Sequence, residues 1–513
     1  MELTTSFSKL ILSFCLLTIG VAAFACQSAD GDFTNPRIQQ GKVRIAGEIT
    51  DEAKGVFRQP IFMTFSFIHP ITGETIRKEV ETDSLGRYSI EVETETNPTI
   101  GGLFTDANPY KAIYMELSQN EELRLDLHYT KNGDIRFAQS VKGVLTENDM
   151  LLGVELLENI LDYRSSRQRP QLYNKSPEAF LQYAQASIND RIAIVNKDTL
   201  LSDKFRKYLV DEVRLLFYLT HVFDYIGEMR LNYRNIHQAD CPDSLQIAAP
   251  ARGYYGFMKN LNLNLGLPMC SFLFTKFQET LLLNDTLAIP PIKESPILEW
   301  QAVAKKCLAD LIGFSEGQYY DVLTANAYAL QLNMEMIPLS SKQKENIHAY
   351  FKGGEIEKML LSHNEMTQRR ASAVEPLSIY DAGNADANRL MADIIERNKG
   401  KVVIVDFWAT WCAPCLMALN EMRTIELPPK ATEIAHVYLT NPSSPKKLWD
   451  KKIQGIGRQH YYLDEKIWGE LMNKYAFTAI PSYLIIDKRG ELKHQFTGYP
   501  GNRAMAKIID SLF

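Results

Sequence analysis

The chain has 513 residues, 45% of them hydrophobic and 23% charged, with a formal net charge of −6. That balance belongs to a globular protein and excludes a disordered or collagenous chain; at ~150 residues per domain the length fits roughly three domains. An acidic chain with no block of basic residues offers no face to a phosphate backbone, so nucleic acid is excluded as a partner.

The first element is an export segment, 1–25. Lys9 precedes the apolar run LILSFCLLTIGVAAFA, which ends in Ala23-Phe24-Ala25 ahead of Cys26. Small residues at the third-last and last positions fit signal-peptidase cleavage after Ala25. The run is 16 residues long and carries Thr18 and Gly20, short of the ~20 residues of a spanning helix. Cys26 would then begin the mature chain. This resembles the start of a bacterial lipoprotein, whose first cysteine is acylated, and makes Cys26 the lipidation candidate. Ala23 and Phe24 depart from the usual pattern, so a lipid-anchored form and a released form both stay open. Either way the expected location is the periplasm or cell envelope.

Residues 26–145 read as a β-sandwich-like domain. VRIAGEI alternates Val43, Ile45, Gly47 and Ile49, the period of a half-buried strand. IFMTFSFIH is aromatic and β-branched. ETDSLGRYSIEV sets the turn residues Asp83, Ser84 and Gly86 before the alternating Tyr88, Ile90 and Val92. AIYMEL, ELRLDLHY and DIRFA add short strands, giving about seven in all. The G-x-I start and the TDSLGRYSI stretch resemble prealbumin-like or carboxypeptidase-regulatory-like modules.

Residues 146–370 read as an all-α domain. The plainest helical stretch is 204–230, with Phe205, Leu209, Val213, Leu216 and Leu219 near one face. Others are predicted over 147–163, 177–195, 268–283, 297–313, 318–332 and 354–369, with LAIPPIKESP as a proline-rich break. His221, His237 and His363 read as ordinary helical histidines, since no second close pair of ligands accompanies them. Cys241, Cys270 and Cys307 also fall here. Export permits a disulfide, but three cysteines allow several pairings, and buried free thiols fit equally well.

Residues 371–513 read as an α/β domain. VVIVDF (402–407) is a continuous apolar run, suited to a strand buried on both faces. IAHVYLT is a second such strand. DEKIWGELMNKYA has an N-terminal Asp and helical spacing; SYLIID and ELKHQF flank a Lys-Arg-Gly turn; NRAMAKIIDSLF closes with a helix. The order gives a small sheet with helices on both sides.

The chemistry sits in FWATWCAPCL, after the first of these strands. A cysteine attacks only as thiolate, and ~8.5 is the ordinary thiol pKa. Cys412 at a helix N-terminus would meet unpaired backbone N–H groups and the positive end of the helix dipole. Cys415 lies one turn further in, close enough to close a disulfide. Cys412 is therefore the expected attacking thiolate and Cys415 its resolver. Pro414 is tolerated in the first turn. A structural zinc site needs a second pair of ligands, and a two-residue loop is a poor structural staple.

VDFWATWCAPC, together with Ala479-Ile480-Pro481 and Ser482, resembles the active site of the thioredoxin superfamily, and the appended export segment resembles its TlpA-like (AhpC/TSA-type) envelope thiol–disulfide oxidoreductases. The resemblance covers about a quarter of the chain. It implies that Asp406 is the buried acid, with a raised pKa, that takes the Cys415 proton. It implies a cis Ile480-Pro481 peptide beside Cys412, with Ile480, Trp411 and Gly498 bordering the substrate groove. Trp408 fits the core equally well. No organic cofactor or metal is implied; electrons travel through the cysteine pair. The implied partners are protein dithiols and disulfides, with a membrane electron donor. Ala413, Ala418 and Asn420 depart from common family residues, and Glu421 is the nearest acid after Cys415, so subfamily and electron direction stay open, with the Trp-Cys-x-Pro-Cys setting favouring reduction. The alternative is an envelope interaction protein in which this domain serves docking.

Overall fold

The computed structural model describes residues 33–51, 60–131, 133–138, 143, 145–161, 170–238, 242, 245–335, 337–373, 376–380, 386–422, 433–456 and 458–513. The export segment, Cys26 and Cys241 lie outside the described residues. Among the described residues no helix is long and apolar enough to cross a membrane.

Two sheets open the chain, built from β1 (Arg37–Asp51), β2 (Phe62–His69), β3 (Glu74–Glu81), β4 (Arg87–Asn97), β5 (Thr99–Thr105), β6 (Asn108–Leu117), β7 (Glu122–Arg124), β8 (Leu127–Tyr129) and β9 (Ile135–Phe137). One sheet runs β4-β1-β8-β9 with β7 also on β1; the other runs β3-β2-β5-β6. The predicted strand at 122–129 is split into β7 and β8. Between them the Asp126 carboxylate accepts from the Glu48 N–H at 3.1 Å, a side chain standing in for a ladder bond. Gly47 permits the close approach: a Cβ there would sit 1.9 Å from the Leu125 carbonyl oxygen. The strand β3 carries no buried residue, as suits a polar sheet edge.

The middle of the chain is helical: α1 (Glu147–Leu161), α2 (Pro177–Lys197), α3 (Asp203–Phe217), α4 (Tyr225–His237), α5 (Phe274–Leu282), α6 (Ile297–Ile312), α7 (Tyr319–Leu330), α8 (Ser341–Phe351) and α9 (Glu355–Ala373). The single helix predicted over 204–230 is interrupted. A π-helical turn at Tyr218–Val222 ends α3, and α4 restarts with the Asp224 side chain accepting from the Gly227 N–H at 3.0 Å. The helix α8, absent from the sequence reading, starts at a capping box of Ser340 and Gln343. The three histidines are each engaged: His221 with Glu228, His237 with the Tyr173 hydroxyl, and buried His363 with Asn333. Cys270 and Cys307 are free thiols.

Sheets and helices share their cores. One cluster joins Val43, Phe65 and Leu117 of the strands to Met150, Phe205 and Leu209 of the helices. A second, within the helices, receives Ile68 from the end of β2 and Ile71 from the β2–β3 turn. That turn is held tightly: the Glu95 carboxylate accepts from the Ile71 and Thr72 N–H groups at 2.7 and 3.1 Å. The Asn326 amide donates to the Pro70 carbonyl at 2.8 Å, and that of Asn333 to the Thr72 carbonyl at 2.7 Å.

The C-terminal part contains β10 (Ser378–Tyr380), α10 (Ala387–Arg397), β11 (Val402–Phe407), α11 (Ala413–Met422), β12 (Ile434–Thr440), α12 (Lys446–Ile456), β13 (Gln459–Tyr462), α13 (Glu465–Lys474), β14 (Ser482–Ile486), β15 (Leu492–Thr497) and α14 (Asn502–Asp510). Its sheet runs β10-β13-β12-β11-β14-β15. The first four strands in that order are parallel; β14 and β15 are antiparallel to their neighbours. Every residue of β11 is buried, as its unbroken apolar run predicts. Val403, Val405 and Phe407 pack on one face with α10 and α13; Val402 and Ile404 pack on the other with α11, α12 and α14.

This part meets the N-terminal sheets through charge. Arg77 of β3 donates to the Glu421 carboxylate of α11 at 3.1 Å. Arg503 of α14 pairs with Glu81 and lies 4.5 Å above the Phe62 ring.

Candidate active site

The site is assembled where β11 ends. After Phe407 the chain turns through Trp408–Trp411 and enters α11 directly after Cys412. The turn is fixed from both sides. The Trp408 N–H donates to the Leu439 carbonyl at 3.0 Å, continuing the ladder to β12. The Thr410 N–H donates to Ser444 Oγ at 3.0 Å, and Ser444 Oγ lies 2.8 Å from Thr440 Oγ1. Trp408 is fully buried, which settles it as core.

Cys412 and Cys415 are joined as a disulfide, their Cα atoms 5.2 Å apart. The Cys415 N–H donates to Cys412 Sγ at 3.2 Å. A helix start thus aims a backbone donor at the outer sulfur, where developing negative charge is favoured. Both cysteines are largely covered, while Trp411 beside them is 62% exposed. The Trp411 indole N–H donates to Ser443 Oγ at 3.0 Å, and the Ser443 hydroxyl donates to Asn441 Oδ1 at 2.6 Å. The indole is therefore a large apolar surface held in one orientation.

The opposing loop arrives from β14. The Ile480–Pro481 peptide is cis, and the Ile480 carbonyl oxygen lies 3.7 Å from Cys412 Sγ. Gly498, at φ 86°, donates its N–H to the Pro481 carbonyl at 2.8 Å. The Ser482 hydroxyl bridges the Ala479 carbonyl and Thr497 Oγ1 at 2.7 and 2.8 Å. Cys412 and, more than 60 positions later in the sequence, Ile480, Pro481 and Gly498 are thereby brought to one end of the sheet.

Asp406 lies on the face of β11 that α11 covers and is 1% exposed. Burial pushes its carboxyl well above the usual carboxylate range. Neither of its oxygens meets hydrogen-bond geometry with a partner among the described residues, and the polar group that acts on it is the Tyr483 phenol. Of the residues noted after Cys415, Ala418 is buried and Glu421 is turned toward Arg77. Sequence reasoning missed Tyr483 and the Asn441–Ser444 loop. The loop was findable, since sites in such sheets gather at the carboxyl ends of parallel strands; Tyr483 was hidden inside an apolar run.

A central buried strand, a cysteine pair at the following helix start and a cis-proline loop against it define a thioredoxin-fold thiol–disulfide centre. A thioredoxin-like family model matches residues 400–492. Thioredoxin 2 of Chlorobaculum tepidum is 30% identical over 113 residues, which cover 22% of this chain and 80% of that relative. The thiol-disulfide oxidoreductase ResA of Geobacillus kaustophilus is 25% identical over 114 residues, 22% of this chain and 64% of the relative. Sporulation thiol-disulfide oxidoreductase A of Bacillus subtilis is 29% identical over 104 residues, 20% and 62% respectively. The chain thus spans somewhat under two thirds of the length of the latter two. Through this domain the chain belongs to the thioredoxin superfamily.

Proposed function

We propose that the chain exchanges disulfides with protein substrates in the bacterial cell envelope, acting as a reductant through Cys412 and Cys415. The observation that carries this is the Cys415 N–H aimed at Cys412 Sγ beside the Ile480 carbonyl. It places a sulfur that favours the anion next to backbone able to align an extended chain. In the reduced protein the Cys412 thiolate attacks one sulfur of a substrate disulfide and expels the other as a thiolate, which takes a proton from water. Cys415 gives its proton to Asp406 and attacks Cys412 Sγ. The second substrate sulfur leaves and is protonated, and the pair is left as a disulfide. Two electrons have moved to the substrate, and a dithiol reductant, proposed to be membrane-bound, restores the pair. The envelope location rests on the run before Cys26, with either a lipid-anchored or a released form.

The test is trapping. Cys415→Ser purified from the envelope should carry substrate proteins disulfide-linked to Cys412, and Cys412→Ser should carry none. An empty trap, together with no reduction of insulin disulfides by the reduced wild type, would overturn the reading.

A further inference from the structure

We propose that Tyr483 is the positioning residue of the buried acid: its phenol donates toward the Asp406 carboxylate and keeps that group able to accept the Cys415 proton. This rests on the thiol–disulfide exchange reading of the same site.

Asp406 and Tyr483 are directly opposed across the antiparallel β11–β14 ladder, between the pairs Val405–Leu484 and Phe407–Ser482. Opposed residues in such a ladder project to the same face and touch. That face is the one on which Ile404, Tyr483, Cys412 and Cys415 form one cluster. Tyr483 is completely buried, and its hydroxyl, like the Asp406 oxygens, meets hydrogen-bond geometry with no partner among the described residues. The acid and the phenol are thus two buried polar groups, each unsatisfied among the described residues, on opposed positions of one ladder.

Other side chains share this face. Tyr438 of β12 opposes Asp406 across the other ladder and stacks on His460 of β13, ring centroids 4.8 Å apart. His436 lies one inward position before Tyr438 on β12, and burial holds it well below the usual imidazole range, so it is neutral. Tyr499 packs against the far side of Tyr483 at 5.9 Å and donates to Asn502 Oδ1 at 2.6 Å. From the covering helices come Cys415 of α11, Trp449 and Ile453 of α12, with Lys452 buried on the same helix, and Met505 and Ile509 of α14. What acts on Asp406 is burial, which favours the protonated acid, and the Tyr483 phenol, which favours the carboxylate.

A phenol is suited to this part. Burial and the Asp406 charge both drive Tyr483 ionisation upward, so it keeps its proton and has one to donate to the carboxylate. It cannot compete with Asp406 for the Cys415 proton. It can only make the carboxylate less costly to hold in the dry interior. When Cys415 transfers its proton to Asp406 and attacks Cys412 Sγ, the phenol loses a charged acceptor and no other bond changes.

The experiment is single-turnover reduction of a protein disulfide by the fully reduced protein across pH, for wild type, Tyr483→Phe, Asp406→Asn and the double variant. Removing the hydroxyl should move the acid limb upward by about one pH unit and slow the reaction about tenfold at neutral pH, with the rate recovered in alkali. In Asp406→Asn, adding Tyr483→Phe should change the profile no further. A Tyr483→Phe profile that superposes on wild type, or equal slowing in both backgrounds, would overturn the proposal. Carbon-13 NMR titration of the Asp406 carboxyl gives a readout without turnover. Its midpoint should rise in Tyr483→Phe, and an unmoved midpoint overturns the proposal. If wild type reduces no disulfide, the exchange reading fails, and the carboxyl titration still decides the part played by Tyr483.

Discussion

The backbone N–H of Cys415 points at Cys412 Sγ from 3.2 Å, so the two cysteines are unequal although they sit one turn apart on the same helix. Both sulfurs are buried, but the outer one has the helix-start N–H of Cys415 and the Ile480 carbonyl beside it. In the reduced protein, iodoacetamide at neutral pH should therefore label Cys412 well before Cys415, as mass spectrometry of quenched samples would show. Equal labelling would contradict the assignment of attacker and resolver.

Asp406 makes a second test, of stability. Its folded carboxyl is raised above the unfolded value by burial. The folded state then holds the proton more tightly, so stability is greatest at acid pH. It is lost as pH rises from the unfolded value of about 4 through the folded one. Asp406→Asn removes that slope. Thermal melts of the two proteins should diverge as pH rises, with the variant the more stable in alkali. The same variant should slow disulfide reduction by ~10²-fold, the lower range for a general base.

Glu212, on α3 where helices meet sheets, offers the same logic away from the site. Burial raises its carboxyl from 4.5 to about 8, with the neighbouring Asp211 adding to the shift and Ser271 and Tyr208 opposing it. Stability should fall as pH climbs through that interval. Glu212→Gln should abolish the fall, so the difference in Tm between variant and wild type should widen from about pH 5 to about pH 8. Redox activity measured on a small disulfide should be unchanged.

Trp411 presents its exposed ring beside Cys412 with the indole N–H held by Ser443. An exposed aromatic with little freedom left to lose is an efficient contact surface. Trp411→Ala should raise KM for protein disulfides about tenfold while leaving the reaction with a small disulfide close to wild type. Ser443→Ala, which frees the ring without removing it, should produce a smaller rise in the same direction.

How much of this was legible beforehand depends on where each contact is encoded. The strand at 402–407, the cysteine pair and Pro481 were readable because their chemistry lies in contiguous residues. The pairing of Asp406 with Tyr483 was not, because it is set by a ladder register between segments 77 positions apart. In SYLIID the tyrosine passes for one more apolar residue. β3 escaped notice because an edge strand needs no buried alternation, and ETIRKEVE shows none. The break after Phe217 carries no Pro or Gly to mark it; the only signal was Asp224 three residues before Gly227, a helix cap inside an apolar run.

The cores shared between the first two sheets and the helices carry a consequence for how the chain comes apart. Val43 and Phe65 pack into the same cluster as Phe205 and Leu209, whereas the clusters of the C-terminal part draw only on its own residues. Stripping away the strands would leave the helices with bare apolar surface, and the reverse holds too. Calorimetry should accordingly resolve two melting units rather than three. The redox part could melt and recover while the larger body stays folded, since exposed ion pairs such as Arg77–Glu421 resist separation only weakly.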